Sequence, residues 1–306
     1  MRAMSKTATP MKIFDRALLA RRRARAAAGF GTHDFLIRRV MDEVSDRLAA
    51  VNRKFPLALD LGSHGGALAL AETDKIGRIV ATDLAPAMLD RGTGLRVAAD
   101  EEMLPFRDGS FDLVASALTL HWVNDLPGAL IQIRRALVAD GLFIGALFGG
   151  DTLTELRLAL AEAEIECEGG LSPRVSPFAD LRDMGSLMQR AGFALPVVDT
   201  DRVTVRYASV FKLMAELRGM GETNALIERR QTPMKRATLL RAVEIYNEKF
   251  GLPDGRIPAT FEIVTLTGWA PHESQQKPLR PGSATTKLAD ALGTREQPAG
   301  EKTPRG

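Results

Sequence analysis

Cysteine is almost missing: Cys167 is the only one in the chain, which excludes an internal disulfide and any cysteine-based metal cluster and fits a reducing compartment. With no histidine near it in sequence, Cys167 reads as a helix-end residue and not as a nucleophile. No apolar run approaches the roughly eighteen residues of a membrane span. Excess charge is small, since 41 Lys and Arg against 38 Asp and Glu leave +3, too little to imply a nucleic-acid partner. None of His33, His64, His121 or His272 has an acid two positions on, so the HxD or HxE pair of a facial iron site is missing and no metal is expected. From Ala270 to Gly306 there is no aromatic residue and proline recurs, so residues 269–306 are expected to be a disordered tail.

What is present suffices for one large core, or one core with a small subdomain: 306 residues, 45% of them hydrophobic. The apolar strand ending at Leu59-Asp60-Leu61 delivers an acid and then the glycine-rich turn Gly62-Ser63-His64-Gly65-Gly66, which runs into a helix. Glycines admit a ligand close to the backbone, and a helix start offers free N–H groups to it. A second apolar run, Arg78 to Leu84, carries Asp83 about twenty residues on, where a doubly wound fold sets an acid against a ribose diol. A third, Leu95 to Ala99, ends at Asp100, Glu101 and Glu102, and an acid there suits an adenine amino group. Two more strands are expected at Phe111–Ser116 and Leu142–Phe148, the last entered through a turn at Ala139-Asp140-Gly141. Helical patterns between them argue a parallel α/β sheet with its ligand crevice at the strands' carboxyl ends. Strands at Val203–Arg206 and Phe261–Leu266 complete a doubly wound, seven-stranded, mostly parallel Rossmann-like sheet.

Helices fill the rest. One starts near Thr32, with Leu36, Val40, Val44, Leu48 and Val51 as its apolar stripe, and should cover the sheet beside the first strand. Others are expected over Leu153–Ile165 and Ala179–Ala191, separated by the turn-rich piece Gly169 to Pro177. Ser209–Gly219 and Lys235–Phe250 read as helices of a lid inserted over residues 207–256 of a domain spanning 32–268. The basic segment 1–31 is arginine-rich and acid-poor; it reads as mature protein capping the crevice, as a solvated basic helix, or as a transit peptide.

The glycine turn does not fit the dinucleotide pattern GxGxxG. Its spacing Asp60, Gly62, Gly66 resembles the DxGxGxG signature of class I S-adenosylmethionine-dependent methyltransferases, with His64 in place of the middle glycine. An acid at the head of the motif would repel a pyrophosphate and suits a cofactor carrying an amino group and a sulfonium. The cofactor-binding set this resemblance implies is Asp60, Gly62, Ser63, His64, Gly66, Asp83, Leu84, Asp100, Glu101 and Leu118, around S-adenosyl-L-methionine.

Leu104-Pro105-Phe106, Ser110 to Val114 and Leu120-His121-Trp122-Val123-Asn124-Asp125-Leu126-Pro127 are similar to motifs of the methyltransferases that esterify malonyl-acyl carrier protein. Phe148 to Arg157, Glu168 to Pro173, Gly219-Met220-Gly221-Glu222, Gly268-Trp269 and Glu273-Ser274-Gln275 resemble a narrower group. That group is the assembly factor of respiratory complex I which hydroxylates an arginine on a quinone-site subunit, with its bacterial relatives. The resemblance spans roughly residues 12–290. It implies a protein substrate, a bacterial cytoplasmic or mitochondrial matrix location, and at most peripheral contact with a membrane. His121 and Trp122 are candidates for an aromatic floor or a base, and Gly149, Gly150, Asp151, Glu155 and Glu222 for a pocket receiving an arginine. Three classes stay open: a methyltransferase, a methyltransferase-fold hydroxylase and a non-catalytic assembly chaperone.

Overall fold

The computed structural model describes residues 12–71, 74–176, 181–276 and 287–295. Its first compact unit, Met1–Pro271, is organised on seven strands: β1 (Phe55–Leu61), β2 (Ile76–Asp83), β3 (Leu95–Ala98), β4 (Phe111–Ala117), β5 (Leu137–Phe148), β6 (Ala194–Tyr207) and β7 (Ile257–Trp269). They lie in the order β3-β2-β1-β4-β5-β7-β6. The first five pair in parallel, and β7 runs antiparallel between β5 and β6. Order reverses between β1 and β4, which opens the crevice at their carboxyl ends.

The helices are α1 (Arg16–Ala26), α2 (Phe35–Ala50), α3 (Pro86–Leu89), α4 (Leu126–Ala136), α5 (Thr154–Glu168), α6 (Leu181–Arg190), α7 (Val210–Gly219) and α8 (Arg236–Phe250). The stripe on α2 buries Leu36, Val40, Val44 and Leu48 as the spacing requires, together with Ile37 and Met41, against Phe55 and Ala58. Each such aliphatic chain contributes on the order of 1.5–3 kcal/mol. Residues 27–32, ahead of α2, form a 3₁₀ turn. On the other face α4 and α6 bury Leu130, Ile133, Leu187 and Met188 against Val114, Phe143 and Val264. Of the two inserted helices, α8 packs Ala242, Ile245 and Tyr246 into the same core as Leu156, Ala159 and Ala163 of α5.

Two strands run well beyond their apolar stretches. β6 reaches back to Ala194 through Asp199-Thr200-Asp201-Arg202, because β7 pairs with it along its length and Arg47 and Arg39 of α2 neutralise Asp199 and Asp201. The turn expected at Ala139-Asp140-Gly141 is instead a kink inside β5: Asp140 has φ +60°, and the register with β4 shifts between Phe111 and Leu113. The second unit is His272–Gly306. In it His272 donates its N–H to Gln275 Oε1 at 3.1 Å, and Leu288–Ala291 forms a short helix, α9. Of the expected tail, residues 277–286 and 296–306 lie outside the described residues, as do residues 1–11 of the basic segment and Pro177 of the turn-rich piece; Trp269 closes β7.

Candidate functional site

Four of the five residues from Gly62 to Gly66 lie in the left-handed region: Gly62 at φ +67°, His64 at +49°, Gly65 at +95° and Gly66 at +105°. Asp60, fully buried, accepts the Leu68 N–H at 2.9 Å through Oδ2, while its Oδ1 has no partner. Burial pushes its carboxyl up to about 7. Four amides of the turn and the helix start are already used: Ser63 N–H donates to Thr82 O, His64 N–H to Asp83 Oδ2, and Gly66 and Ala67 N–H both to Ser63 O. The free helix-start amides expected from the sequence are therefore not available at these positions, because the turn folds back on itself.

A histidine in this backbone conformation persists only if its surroundings hold it. His64 stacks on Phe30, 5.3 Å between centroids and 3° between planes, and its Nε2 donates to the Ala117 carbonyl at 3.0 Å. Burial, then the nearby Arg23 guanidinium, drive it down to about 3, so the ring is neutral. Asp83 accepts Ala85 N–H at 2.8 Å and His64 N–H at 3.1 Å; burial raises its carboxyl against the pull of Arg23 and both amides. Leu84 packs on the small cluster of Phe14, Leu19, Trp122, Ala225 and Leu226. Leu118, at φ +49° just after β4, donates its N–H to Ala146 O.

Asp60 and His64 oppose each other as pH changes. Below pH 7 folded Asp60 takes up a proton that the unfolded chain declines until about pH 4, so acidification stabilises through Asp60. Below about pH 6.5 the unfolded chain protonates His64 while the folded one does not until about 3, so acidification destabilises through His64. Asp60→Asn should therefore lose about 2 kcal/mol more than the parent between pH 7.5 and 5.5 in urea titrations. Parallel stability curves for the two proteins would contradict these assignments.

The acids after β3 are held by the N-terminal helix. Asp15 caps α1 by accepting Leu18 N–H at 2.9 Å. Arg16 pairs with Asp100 at 2.6 Å and also with Glu101. Arg23 is fully buried, donates through Nη2 to Thr119 Oγ1 at 2.7 Å, and places Nη1 3.6 Å from Glu101 and 3.9 Å from Asp83. Thr119 in turn donates to Glu101 at 3.1 Å. So the strand ends bring together Asp60, Gly62, Ser63, His64, Gly66, Asp83, Asp100, Glu101 and Leu118, with Arg16 and Arg23, expected only as members of a basic segment over the crevice, and with Phe30 and Thr119, which were not anticipated. The sequence signal of Arg23 is slight: Leu19, Arg23 and Ala26 form one helical stripe on α1, with the arginine in its middle.

A cavity of about 220 Å³ opens beside this crevice. Its walls are Trp122, Phe148, Leu153, Leu156 and Phe261, with Met214, Leu217 and Arg218 from α7, and Arg174 and Ser176 from the turn-rich piece; α8 contributes no residue. Glu222 lines it as well, and its Oε2 accepts Trp122 Nε1–H at 2.7 Å and His121 Nε2–H at 3.0 Å. Burial disfavours a charged Glu222, but His121 and then Arg23 outweigh it and hold the carboxyl below its ordinary value.

The other two expected carboxylates are elsewhere. Asp151 pairs with Arg202 in the exposed surface, and its N–H donates to Glu262 at 3.0 Å. Glu155 is buried but accepts Thr260 N–H at 3.1 Å, tying α5 to β7. Gly149 gives room to Glu262 of β7, while Gly150 faces open space. A buried acid that sequence reasoning missed, Glu164, fixes the cavity wall. It accepts Ser172 N–H at 2.9 Å and Arg174 at 2.6 Å, which overcome its burial and hold it at about 2. Among the described residues no cluster of three His, Cys, Asp or Glu is placed to hold a metal ion.

Comparison with known proteins returns one domain family and many whole-chain relatives. The methyltransferase-domain family matches residues 59–145. The mitochondrial arginine-hydroxylase NDUFAF5 of Danio rerio is 44% identical over 290 residues, 92% of this chain and 89% of that protein. A malonyl-[acyl-carrier protein] O-methyltransferase of Halorhodospira halophila is 38% identical over 244 residues, covering 76% of this chain and 81% of its own. Among solved structures, a methyltransferase-fold protein of Bacillus halodurans aligns with a TM-score of 0.53 at 17% identity, over 75% of this chain and 98% of its own.

Proposed function

We infer the function from membership: the chain belongs to the arginine-hydroxylase NDUFAF5 family and is itself built on the class I methyltransferase fold. It is an enzyme of this kind that binds S-adenosyl-L-methionine at the carboxyl ends of β1 to β4. The residues there fit that cofactor: buried Asp60 Oδ1 and Ser63 Oγ are unpartnered, and the surrounding acids suit an ammonium, a ribose diol and an adenine while opposing a pyrophosphate. When bound, the cofactor supplies an electrophilic methyl on a sulfonium.

The substrate we propose is an arginine side chain of a protein subunit, the quinone-site subunit of respiratory complex I, hydroxylated during assembly. The observation that carries this reading is Glu222, a carboxylate only 9% exposed that lines the cavity together with Trp122 and Phe148. An arginine stem would lie along Trp122 and Phe148 and its guanidinium would pair with Glu222, oriented and shielded from water. The proposed place is the matrix side of the inner mitochondrial membrane, or the cytoplasm of a bacterium, with peripheral membrane contact. Among the described residues no helix is long and apolar enough to cross a membrane.

A second reading, methyl transfer to a carboxylate on a carrier protein or small molecule, is favoured by Arg174 and Arg218 on the same cavity. Incubating the protein with labelled S-adenosylmethionine and a complex I subunit, then weighing the subunit by mass spectrometry, separates the readings. Hydroxylation takes one oxygen atom from dioxygen while the second leaves as water with two electrons from a reductant, so the incubation is run in air with an added reductant. Gain of oxygen on an arginine is then the expected result, gain of methyl supports a methyltransferase, and no change with retained complex formation supports a chaperone. Calorimetry should give binding of S-adenosylmethionine and none of NAD; the reverse pattern removes the cofactor assignment.

A further inference from the structure

A second cavity, of about 20 Å³, shares Phe148 and Glu222 with the first and reaches His64 of the glycine turn. Its other walls, Phe30, Leu36, Ile37, Leu118 and Met220, are apolar and buried. Such a volume takes one water and nothing larger, since a water needs about 10–15 Å³. The two polar residues each bring an acceptor. His64 gives its ring proton to the Ala117 carbonyl through Nε2 at 3.0 Å, so Nδ1 carries the lone pair, and Nδ1 is buried with no partner among the described residues. Glu222 receives Trp122 Nε1–H at 2.7 Å and His121 Nε2–H at 3.0 Å on the same oxygen, Oε2, and Oε1 accepts nothing from the described residues. Burial and then Arg23 dominate the shift of the imidazole, and Glu222 is the strongest influence against them, so the two side chains are within reach of each other. Two acceptors on one water-sized chamber call for a molecule with two donors.

We propose that His64 Nδ1 and Glu222 Oε1 hold one water between them, and that through it His64 is a positioning residue for the carboxylate that receives the substrate arginine. This rests on the arginine-pocket reading of Glu222. The water donates one hydrogen to each acceptor. His121 and Trp122 fill Oε2, so Oε1 takes the water on one lone pair and the guanidinium on the other. The carboxylate is thereby fixed before the arginine arrives. A glycine at position 64, as in the methyltransferase signature, would have no atom to reach the chamber.

The water is tested by a crystal structure of the protein with S-adenosylhomocysteine bound, where one peak within hydrogen-bond distance of both Nδ1 and Oε1 is expected. A direct contact between the two side chains overturns the proposal, as does a dry chamber, which xenon would enter, or a ligand atom in the place of the peak. The positioning role is tested by a double-mutant cycle of His64→Asn and Glu222→Gln, read as calorimetric affinity for an arginine-bearing complex I subunit and, separately, for S-adenosylhomocysteine. Asparagine tolerates the left-handed backbone at position 64, and His64→Gly serves if that variant does not fold. His64→Asn should weaken subunit binding by about three- to tenfold, the range of one hydrogen bond, but by less than about twofold in the Glu222→Gln background, where an NH₂ donor replaces Oε1. Equal weakening in both backgrounds overturns the positioning role, and so does a loss confined to S-adenosylhomocysteine, since His64 would then serve the cofactor alone. A parent that shows the water yet binds no subunit overturns the arginine-pocket reading, and the positioning role with it, while the water site stands.

Discussion

Glu222→Gln is expected to lower modification of an arginine-bearing complex I subunit by about ten- to a hundredfold, the range set by loss of one hydrogen-bonded charge partner, while S-adenosylmethionine affinity stays within about threefold. Glutamine keeps the size of the side chain and one acceptor for Trp122 Nε1–H, now 2.7 Å from Oε2, so the cavity retains its form. What it loses is the charge, held in the folded protein by His121 and Arg23 against the cost of burial. Asp151→Asn is the matched control. Its carboxylate belongs to an exposed pair with Arg202, outside the cavity, and such pairs contribute little. Steady-state kinetics on both variants, with melting temperatures alongside, decide it. Full activity in Glu222→Gln would remove the arginine pocket and leave Arg174 and Arg218 to receive an acidic acceptor.

How far the sequence reaches is visible in these same residues. The order of strands, acids and glycines at Asp60, Asp83 and Asp100 was legible because a parallel sheet buries both faces, so each strand is written as a nearly continuous apolar run ending at a polar residue. The amino-terminal half of β6 was not. Asp199 to Arg202 is polar at an edge, and its strand geometry comes from β7 and from arginines of α2 far away in sequence. Of the acids near the glycine pairs, only the tertiary arrangement selects Glu222. β7 lies beside β5 and takes Glu155 through Thr260, while a surface arginine of β6 takes Asp151. Arg23 was hidden for another reason: in a run of arginines each looks solvated, and only the helical spacing with Leu19 and Ala26 sets one apart. Glu164 shows the same signature on α5, an acid on the stripe that buries Leu156, Leu160 and Ala163.

Gly62→Ala should cost about 3 to 5 kcal/mol and abolish cofactor binding, although it adds a single methyl group. Alanine at φ +67° costs about 1–2 kcal/mol in backbone strain alone. Its Cβ would also stand 2.6 Å from both Cβ and Oγ1 of Thr119, and an overlap that includes Cβ is not relieved by rotating the side chain. Overpacking of this kind adds about 1–3 kcal/mol. Thr119 must move, and it joins Arg23 to Glu101 by accepting from one at 2.7 Å and donating to the other at 3.1 Å. Displacing it separates a buried guanidinium from buried carboxylates, whose charges are then uncompensated. Gly66→Ala isolates the backbone contribution, because Gly66 has φ +105° but nothing within 4 Å of the added carbon. It should lose only the strain energy and keep S-adenosylmethionine binding. Denaturant titration and calorimetry on both variants test the pair. Equal losses at Gly62 and Gly66 would mean that the turn's backbone alone holds the site, and that the link from Thr119 to Arg23 and Glu101 contributes nothing.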